Sequence, residues 1–541
     1  MKPKLWLYDT TLRDGSQAEG ISLSLNDKLK IARQLDAMGI PFIEGGWPGA
    51  NPKDVQFFWK LQEQPLKQAE VVAFCATRRP HKLAAEDPML QGILAAKTRW
   101  VTIFGKSWDL HVTESLKTSL EENLAMIQDS IAYLCSQGRQ VIYDAEHWFD
   151  GYKHNPHYAI KTLQSAIAAG ASWLVLCDTN GGTLPHEITE IIEGIYTAIP
   201  ELNHPDYPHL GIHPHNDSGT AVANAIAAVR SGVTMVQGTI NGYGERCGNA
   251  DLCTLIPNLQ IKLGYDCLEQ SQLAQLTQTS RLVSETVNFA PEERSPFVGR
   301  SAFTHKAGIH VSAVCKNPLT YEHIVPEAVG NQRQIVISEQ SGISNILHYA
   351  HKFGLTLEKH DPDCREILSQ LKNLEHQGYQ FEAAEASFEL MMRSILKQRP
   401  PLFQLQGFQV HCNICPESHD FSSKALATIK VTVDQQYLLE VAEGNGPVSA
   451  LDRALRQALT KFYPQIAQFR LTDYKVRILD GTMGTAAQIR VLVESSNGQE
   501  RWTTIGVSSN ILDASYQAVV EGIEYGLLLQ SAIKPQITPI T

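Results

Sequence analysis

The stretch HPHND, residues 213–217, follows a short apolar run, PHLGI, that reads as a strand. His213 and His215 stand two apart, so on a strand both rings share one face. Polar clusters follow other strand-like runs in the same way. DTTLRDGSQ brings Asp9, Arg13, Asp14 and Gln17; IEGG brings Glu44; YDAEH brings Asp144, Glu146 and His147; CDTNGG brings Asp178 and Thr179; NGYGERCGN brings Asn241, Glu245, Arg246 and Asn249. Two imidazoles and a carboxylate with open positions make a divalent-metal site, and such a metal can polarise a carbonyl as a Lewis acid. The alternative is that the His pair only caps the strand and the next helix by hydrogen bonds. Asp14 and Asn249, each at another strand end, favour the metal. Arg13 beside Asp14 is either an ion pair of little worth or, at a site mouth, a fixed guanidinium that meets a developing oxyanion.

Such residues need a scaffold that gathers strand ends. Eight strand-like runs, at 5–9, 41–46, 71–75, 99–104, 140–146, 172–178, 209–213 and 234–240, alternate with amphipathic helical stretches. TSLEENLAMIQDSIAYLCSQG ends on Gly138 as a C-cap; NDSGTAVANAIAAVRSG starts on Asn/Asp caps and ends on Gly232. The strands are apolar throughout, as in a parallel sheet covered on both faces. Eight such units predict an α/β fold, a (β/α)₈ TIM barrel over 1–268, with an open doubly wound sheet as the runner-up. A barrel places its active site at the C-terminal strand ends, where the polar clusters fall.

From 269 to 400 the alternation is lost, leaving helical stretches and the polar cluster HKAGIH; this is the accessory segment. Its His310 reads, from spacing alone, as a buried, satisfied histidine. KQRPPLF (397–403) carries a Pro pair that would stop a helix. Beyond it, 401–541 contains a weak repeat: ATIKVTV resembles AQIRVLV, each followed by a second strand and an amphipathic helix. A duplicated strand-strand-helix unit of α+β type follows, without a catalytic cluster. Such a tail packs, dimerises or senses a ligand.

The chain has 541 residues, 43% hydrophobic, and a net charge of −11, which argues against nucleic acid or acidic membrane as partner. No apolar run approaches the ~18 residues of a membrane span, and no signal segment opens the chain, so a cytoplasmic location is expected. The 10 Cys are scattered, which suggests reduced thiols. CNIC (412–415) is a lone CxxC with no second pair. GYGERCG has the wrong spacing and the wrong place for a dinucleotide loop.

LYDTTLRDGSQAEGISLS, IEGGWPGANPKD, DAEHWFDGYK, CDTNGG, GIHPHNDSGTAVAN, INGYGERCGNADL, HKAGIHVSAV, TYEHIVPEAVGN and GNGPVSALDRAL together resemble the 2-isopropylmalate synthase/homocitrate synthase/citramalate synthase family across nearly the whole chain. GGWPGANPKD and DAEHWFDGYK look like its citramalate-forming branch. The resemblance implies a Claisen-type condensation of acetyl-CoA with pyruvate to (R)-citramalate and CoA. It implies a divalent metal (Mg²⁺ or Mn²⁺, with Zn²⁺ or Co²⁺ as alternatives) on Asp14, His213, His215 and Asn249. Arg13 would stabilise the alkoxide and Thr179 would hold the keto-acid carboxylate. Glu44, Asp144 and Glu146 would line the pocket. His310 and Tyr321 would complete the site of a neighbouring subunit, which implies a homodimer. The proton acceptor stays open between Glu146 and a His310-linked pair. The tail resembles a regulatory domain, with isoleucine as the expected effector. Three competing readings are a 2-isopropylmalate synthase taking 2-oxoisovalerate, a metal-dependent retro-aldol lyase that consumes no acetyl-CoA, and a non-enzymatic sensor or scaffold, which would have no use for converging ligands.

Overall fold

The computed structural model describes residues 2–204, 207–413 and 424–531. Within these the chain forms two compact units, Met1–Phe303 with His323–Arg333 and Thr304–Glu322 with Gln334–Thr541. Residues 269–400, read above as one accessory segment, are thus shared between the two.

The first unit is built on eight parallel strands: β1 (Trp6–Asp9), β2 (Phe42–Gly46), β3 (Glu70–Ala76), β4 (Trp100–Lys106), β5 (Gln140–Glu146), β6 (Trp173–Asp178), β7 (His209–Pro214) and β8 (Met235–Gly238). They close in chain order, β8 pairing back to β1 with Trp6 opposite Met235. Tyr8, Phe42, Val72, Ile142, Trp173, Val175 and Met235 form one buried cluster. Their neighbours Leu7, Ile43, Ala73, Val141, Leu174 and Val236 belong to a second cluster shared with the helices. The first set fills the barrel and the second faces outward, as the two-residue period of a strand requires. The same parity carries up each strand. Glu44 follows Phe42 inward, Phe74 follows Val72, Asp144 follows Ile142, Cys177 follows Val175 and Gln237 follows Met235.

Local signals explain the helix ends. Leu25–Ala37 starts on a capping box between Ser24 and Asp27. Leu120–Ser136 starts on Ser119, and Gly138 takes φ 74° behind it. Ala221–Arg230 begins one residue after Thr220, which makes no side-chain cap bond. Asn216, expected as a cap, reaches forward instead, its Oδ1 accepting from the Ala221 N–H at 3.1 Å.

The second unit carries the short parallel pair β9 (Thr304–His305) and β10 (Gln334–Ile335), then helices Ile343–Lys352, Pro362–His376 and Glu385–Ile395. Two three-stranded antiparallel sheets follow. β11 (Gln404–Asn413), β12 (Lys424–Val433) and β13 (Gln436–Gly444) lead to helix Pro447–Thr460; β14 (Arg470–Ile478), β15 (Ile489–Ser496) and β16 (Arg501–Ser508) lead to helix Ile511–Ser531. The repeat is therefore strand-strand-strand-helix, one strand longer than its sequence suggests. β14 is an edge strand with most residues exposed, so it lacks the alternation that marks β12, where every second side chain is buried. Among the described residues no helix is long and apolar enough to cross a membrane. The described cysteines are free, Cys412 of CNIC among them, and Cys415 lies outside the described residues.

Candidate active site

The C-terminal strand ends of the barrel surround a cavity of about 200 Å³. One side is charged and polar, with Arg13, Asp14, Asp144, Glu146, Thr179, His213, His215 and Arg246; the other is Trp47, Phe74 and Phe104.

Asp14, His213 and His215 are buried, and one ligand atom from each lies within 4.8 Å of the others. Nε2 of His213 is 3.2 Å and Nε2 of His215 3.9 Å from Asp14 Oδ2. A neighbour sets the His213 tautomer. Its Nδ1 lies 2.6 Å from Gln237 Oε1, while Gln237 Nε2 donates to Asp144 Oδ1 at 3.3 Å. The amide oxygen can only accept, so Nδ1 carries the hydrogen and Nε2 presents a lone pair. The loop after β8 brings Asn249 to His215, the two forming a β-bridge. Asn249 Nδ2 donates to the Tyr243 carbonyl at 3.1 Å, which turns Oδ1 the other way. Asn249 Oδ1 and His215 Nδ1 are both buried without a hydrogen-bond partner. Buried polar atoms are normally paired, so the unpaired Asn249 Oδ1, together with Nε2 of His213 and Nε2 of His215 turned toward Asp14, suits a cation. Electrostatics fit at two of the three groups, while at His213 burial is outweighed by Asp14, which raises the ring above its ordinary value, so a proton competes with a cation for Nε2. Burial alone would raise Asp14, but Arg13 and the two imidazoles outweigh it and hold the carboxyl far below its ordinary range, as an anion. Burial, reinforced by His213, pulls His215 down to about 4, so this ring is neutral and able to ligate.

Arg13 is locked from three sides. Nε donates to Glu44 Oε2 at 2.5 Å, Nη1 to Asp14 Oδ2 at 3.2 Å, and the guanidinium lies 3.9 Å from the centre of the Phe74 ring. Glu44 is in turn held by the Tyr8 hydroxyl, which donates to Oε1 at 2.8 Å and contacts Thr102 at 2.7 Å. Glu44, expected to line the pocket, thus lies fully buried behind Arg13 and positions it. Asp144 does face the cavity; burial, with Glu44 close by, pushes its carboxyl up to about 7. Glu146 pairs with Lys106 at the rim. Thr179 Oγ1 accepts from the His147 N–H at 2.9 Å, which leaves the hydroxyl hydrogen free to donate into the cavity.

The aromatic wall and Gln237 escaped the sequence reading, which looked for charge at strand ends; the wall residues lie on or beside apolar strands. Trp47 meets Phe74 and Phe104 edge-on at 5.9 and 5.7 Å, and the two Phe rings stack at 5.2 Å. A buried ion pair anchors Trp47: Lys28 Nζ binds Asp54 and the Gly45 carbonyl, and Asp54 Oδ2 accepts from the Trp47 N–H at 2.9 Å.

His310 and Tyr321 belong to the second unit, where their rings lie 4.2 Å apart beside an open cleft. Both are exposed, so His310 is not the enclosed core histidine that spacing alone suggests.

Family models match three consecutive segments: HMGL-like over residues 4–283, a homocitrate synthase post-HMGL domain-like segment over 297–379, and a LeuA allosteric (dimerisation) domain over 382–527. The (R)-citramalate synthase of Synechocystis sp. is 71% identical over 98% of this chain and 97% of its own length. That of Aquifex aeolicus is 49% identical over 98% of both. A 2-isopropylmalate synthase of Nostoc sp. is 30% identical over 96% of both.

Proposed function

The chain belongs to the citramalate synthase branch of the 2-isopropylmalate synthase family, and we propose on that premise that it condenses acetyl-CoA with pyruvate to give (R)-citramalate and CoA. The carrying observation is full-length identity to curated (R)-citramalate synthases, 44% to 71% among five of them, on a barrel whose cavity holds the required groups. The 2-isopropylmalate synthases match at 29–30%. The aromatic side of the cavity, Trp47, Phe74 and Phe104, would decide between the keto acids by the room it leaves for their side chains. A lyase reading receives less support, since the tail resembles that of the condensing enzymes.

Asp14, His213, His215 and Asn249 would hold a divalent cation. Two imidazoles with oxygen ligands suit Mn²⁺, Co²⁺ or Zn²⁺, and Mg²⁺ through the oxygens. A cation bound there supplies Lewis-acid polarisation of a chelated α-keto acid. The protein's own groups do the rest. The Thr179 hydroxyl donates to the substrate carboxylate. Arg13, unable to swing away, faces the oxygen on which negative charge develops. A thioester methyl is a weak acid, so its proton needs a positioned acceptor. Two candidates for that role are Glu146, which lines the cavity, and His310 with Tyr321, which would act in the barrel of a neighbouring subunit within a homodimer. Replacing each by Gln distinguishes them, since the base is the one whose loss stops CoA release while pyruvate binding persists. Isoleucine is the proposed effector of the tail. The free thiols suit a reducing, cytoplasmic setting.

The test is CoA release from acetyl-CoA with pyruvate against 2-oxoisovalerate. Pyruvate should give the higher kcat/KM by at least roughly tenfold, the scale of one or two methyl groups in a tight pocket. Preference for 2-oxoisovalerate would overturn the assignment, and acetyl-CoA-independent cleavage of citramalate would favour the lyase.

A further inference from the structure

Arg246 is half-exposed at the cavity mouth, where a surface ion pair would ordinarily be worth little. Its geometry is different. Nε donates to Asp217 Oδ1 at 2.7 Å and Nη2 to Asp217 Oδ2 at 3.0 Å, a two-pronged grip. Nη2 also donates to the Thr179 carbonyl at 2.7 Å. One guanidinium therefore ties together three loops: that after β6 (Thr179), that after β7 (Asp217, two residues past His215) and that after β8 (Arg246, three before Asn249).

The backbone is shaped around this grip. Arg246 itself takes φ 56°, a region that side chains other than Gly adopt only when their surroundings enforce it. Gly181 takes φ 60°, and a Cβ there would meet Asp217 Oδ2 at 2.5 Å. The loops are also joined through Asn216 N–H to the Gly248 carbonyl at 2.9 Å and Ser218 N–H to the Gly181 carbonyl at 3.0 Å. Among the described residues, only the Arg246 guanidinium makes hydrogen bonds that join all three.

We propose that Arg246 is a positioning residue, pinning the three loops so that the Thr179 hydroxyl and the Asn249 and His215 ligand atoms face one point of the cavity. It touches no reacting atom. Lysine at this place keeps the charge but cannot hold both carboxylate oxygens and the carbonyl at once. The pyruvate part of the inference rests on the reading above; the metal part does not.

The experiment compares Arg246→Lys, Arg246→Gln and Asp217→Asn in the full chain by three measurements. Steady-state CoA release separates the two KM values from kcat. Mn²⁺ titration of the metal-stripped protein, followed by electron paramagnetic resonance, needs no turnover. Thermal melting reports general damage. Arg246→Lys should raise the pyruvate KM roughly tenfold and weaken Mn²⁺ by a similar factor, the scale on which groups behind metal ligands act. The acetyl-CoA KM and melting temperature should hardly move. Asp217→Asn should weaken Mn²⁺ with a smaller effect on pyruvate, because Arg246 still holds the Thr179 carbonyl. Pyruvate KM and Mn²⁺ affinity within twofold of wild type in Arg246→Gln would overturn the proposal. So would a uniform loss matched by a lower melting temperature. A wild type that binds Mn²⁺ but releases no CoA with pyruvate would sink the assigned reaction alone, leaving the Mn²⁺ titration to decide the role of Arg246.

Discussion

At the scale of single residues the site is organised by what holds each group still. Arg13 spends Nε on Glu44 and Nη1 on Asp14 and lies against Phe74. Arg13→Lys keeps the charge but loses the planar fork. If the guanidinium meets charge that appears only in the transition state, kcat should fall roughly 10²-fold or more while the pyruvate KM changes less. Near-normal kcat with a raised KM would instead make Arg13 a ground-state binding group. His213 and His215 are two of three close ligand candidates, so replacing either by Ala should abolish Mn²⁺ binding by the full chain. Retained Mn²⁺ affinity in both variants would refute the site. The charged members of this constellation were legible in the sequence because each follows a strand-like run. Gln237, Phe74 and Phe104 were not, because a polar or aromatic residue inside an apolar strand looks like core until closure of the barrel turns its parity inward.

At the scale of elements, the eight barrel strands were legible to within two residues at their starts, since β-rich apolar runs punctuated by amphipathic helices leave few alternatives. β14 was missed because its exposed faces dilute the alternation, and β11 because a bulge between Leu405 and Gly407 breaks it. The loop after β8 shows how little freedom the site-bearing elements have. Gly248 takes φ 85°, and a Cβ there would lie 1.9 Å from the Gly242 carbonyl oxygen. Gly248→Ala should displace Asn249 and weaken Mn²⁺, with a strain of roughly 1–3 kcal/mol; unchanged affinity would show that Asn249 is not a ligand. On helix Ile511–Ser531, burial lifts Glu521 from 4.5 to about 7 despite Arg399 and a hydrogen bond from Ser387 on helix Glu385–Ile395. The folded state then holds this proton more tightly than the unfolded chain. Its contribution to stability is full below about 4.5 and is lost as pH rises through about 7. Glu521→Gln should flatten the fall in melting temperature of the second unit between pH 5 and 8; an unaltered slope would show that the group does not titrate there.

At the scale of the whole molecule the question is where the chain can be cut and what the tail reports. The Pro pair at 400 invites truncation there, and the first unit has its own core. The second unit does not divide so cleanly. Ile505 and Val507 of β16 share one buried cluster with Ile346, Phe381 and Phe388 of the helical segment, and Ser387 Oγ accepts from the Ile505 N–H at 2.9 Å. Ending the chain at 400 strips these helices of part of their core, a loss of the kind that costs 2–5 kcal/mol per large side chain. We expect the truncated chain to keep a folded barrel, to become protease-sensitive between 343 and 396, and to lose most condensation activity. Robust activity would mean that the helical segment folds without β16. Loss of isoleucine inhibition on truncation would therefore say nothing about the effector site. The informative comparison keeps the chain whole. An effector shifts an equilibrium only by binding two states unequally, so isoleucine should inhibit CoA release at sub-saturating acetyl-CoA, and leucine less. Isoleucine should also raise the melting temperature of the second unit without pyruvate or acetyl-CoA present. Inhibition without that shift would place the effector at the barrel, and neither effect would leave the tail a structural or dimerising module.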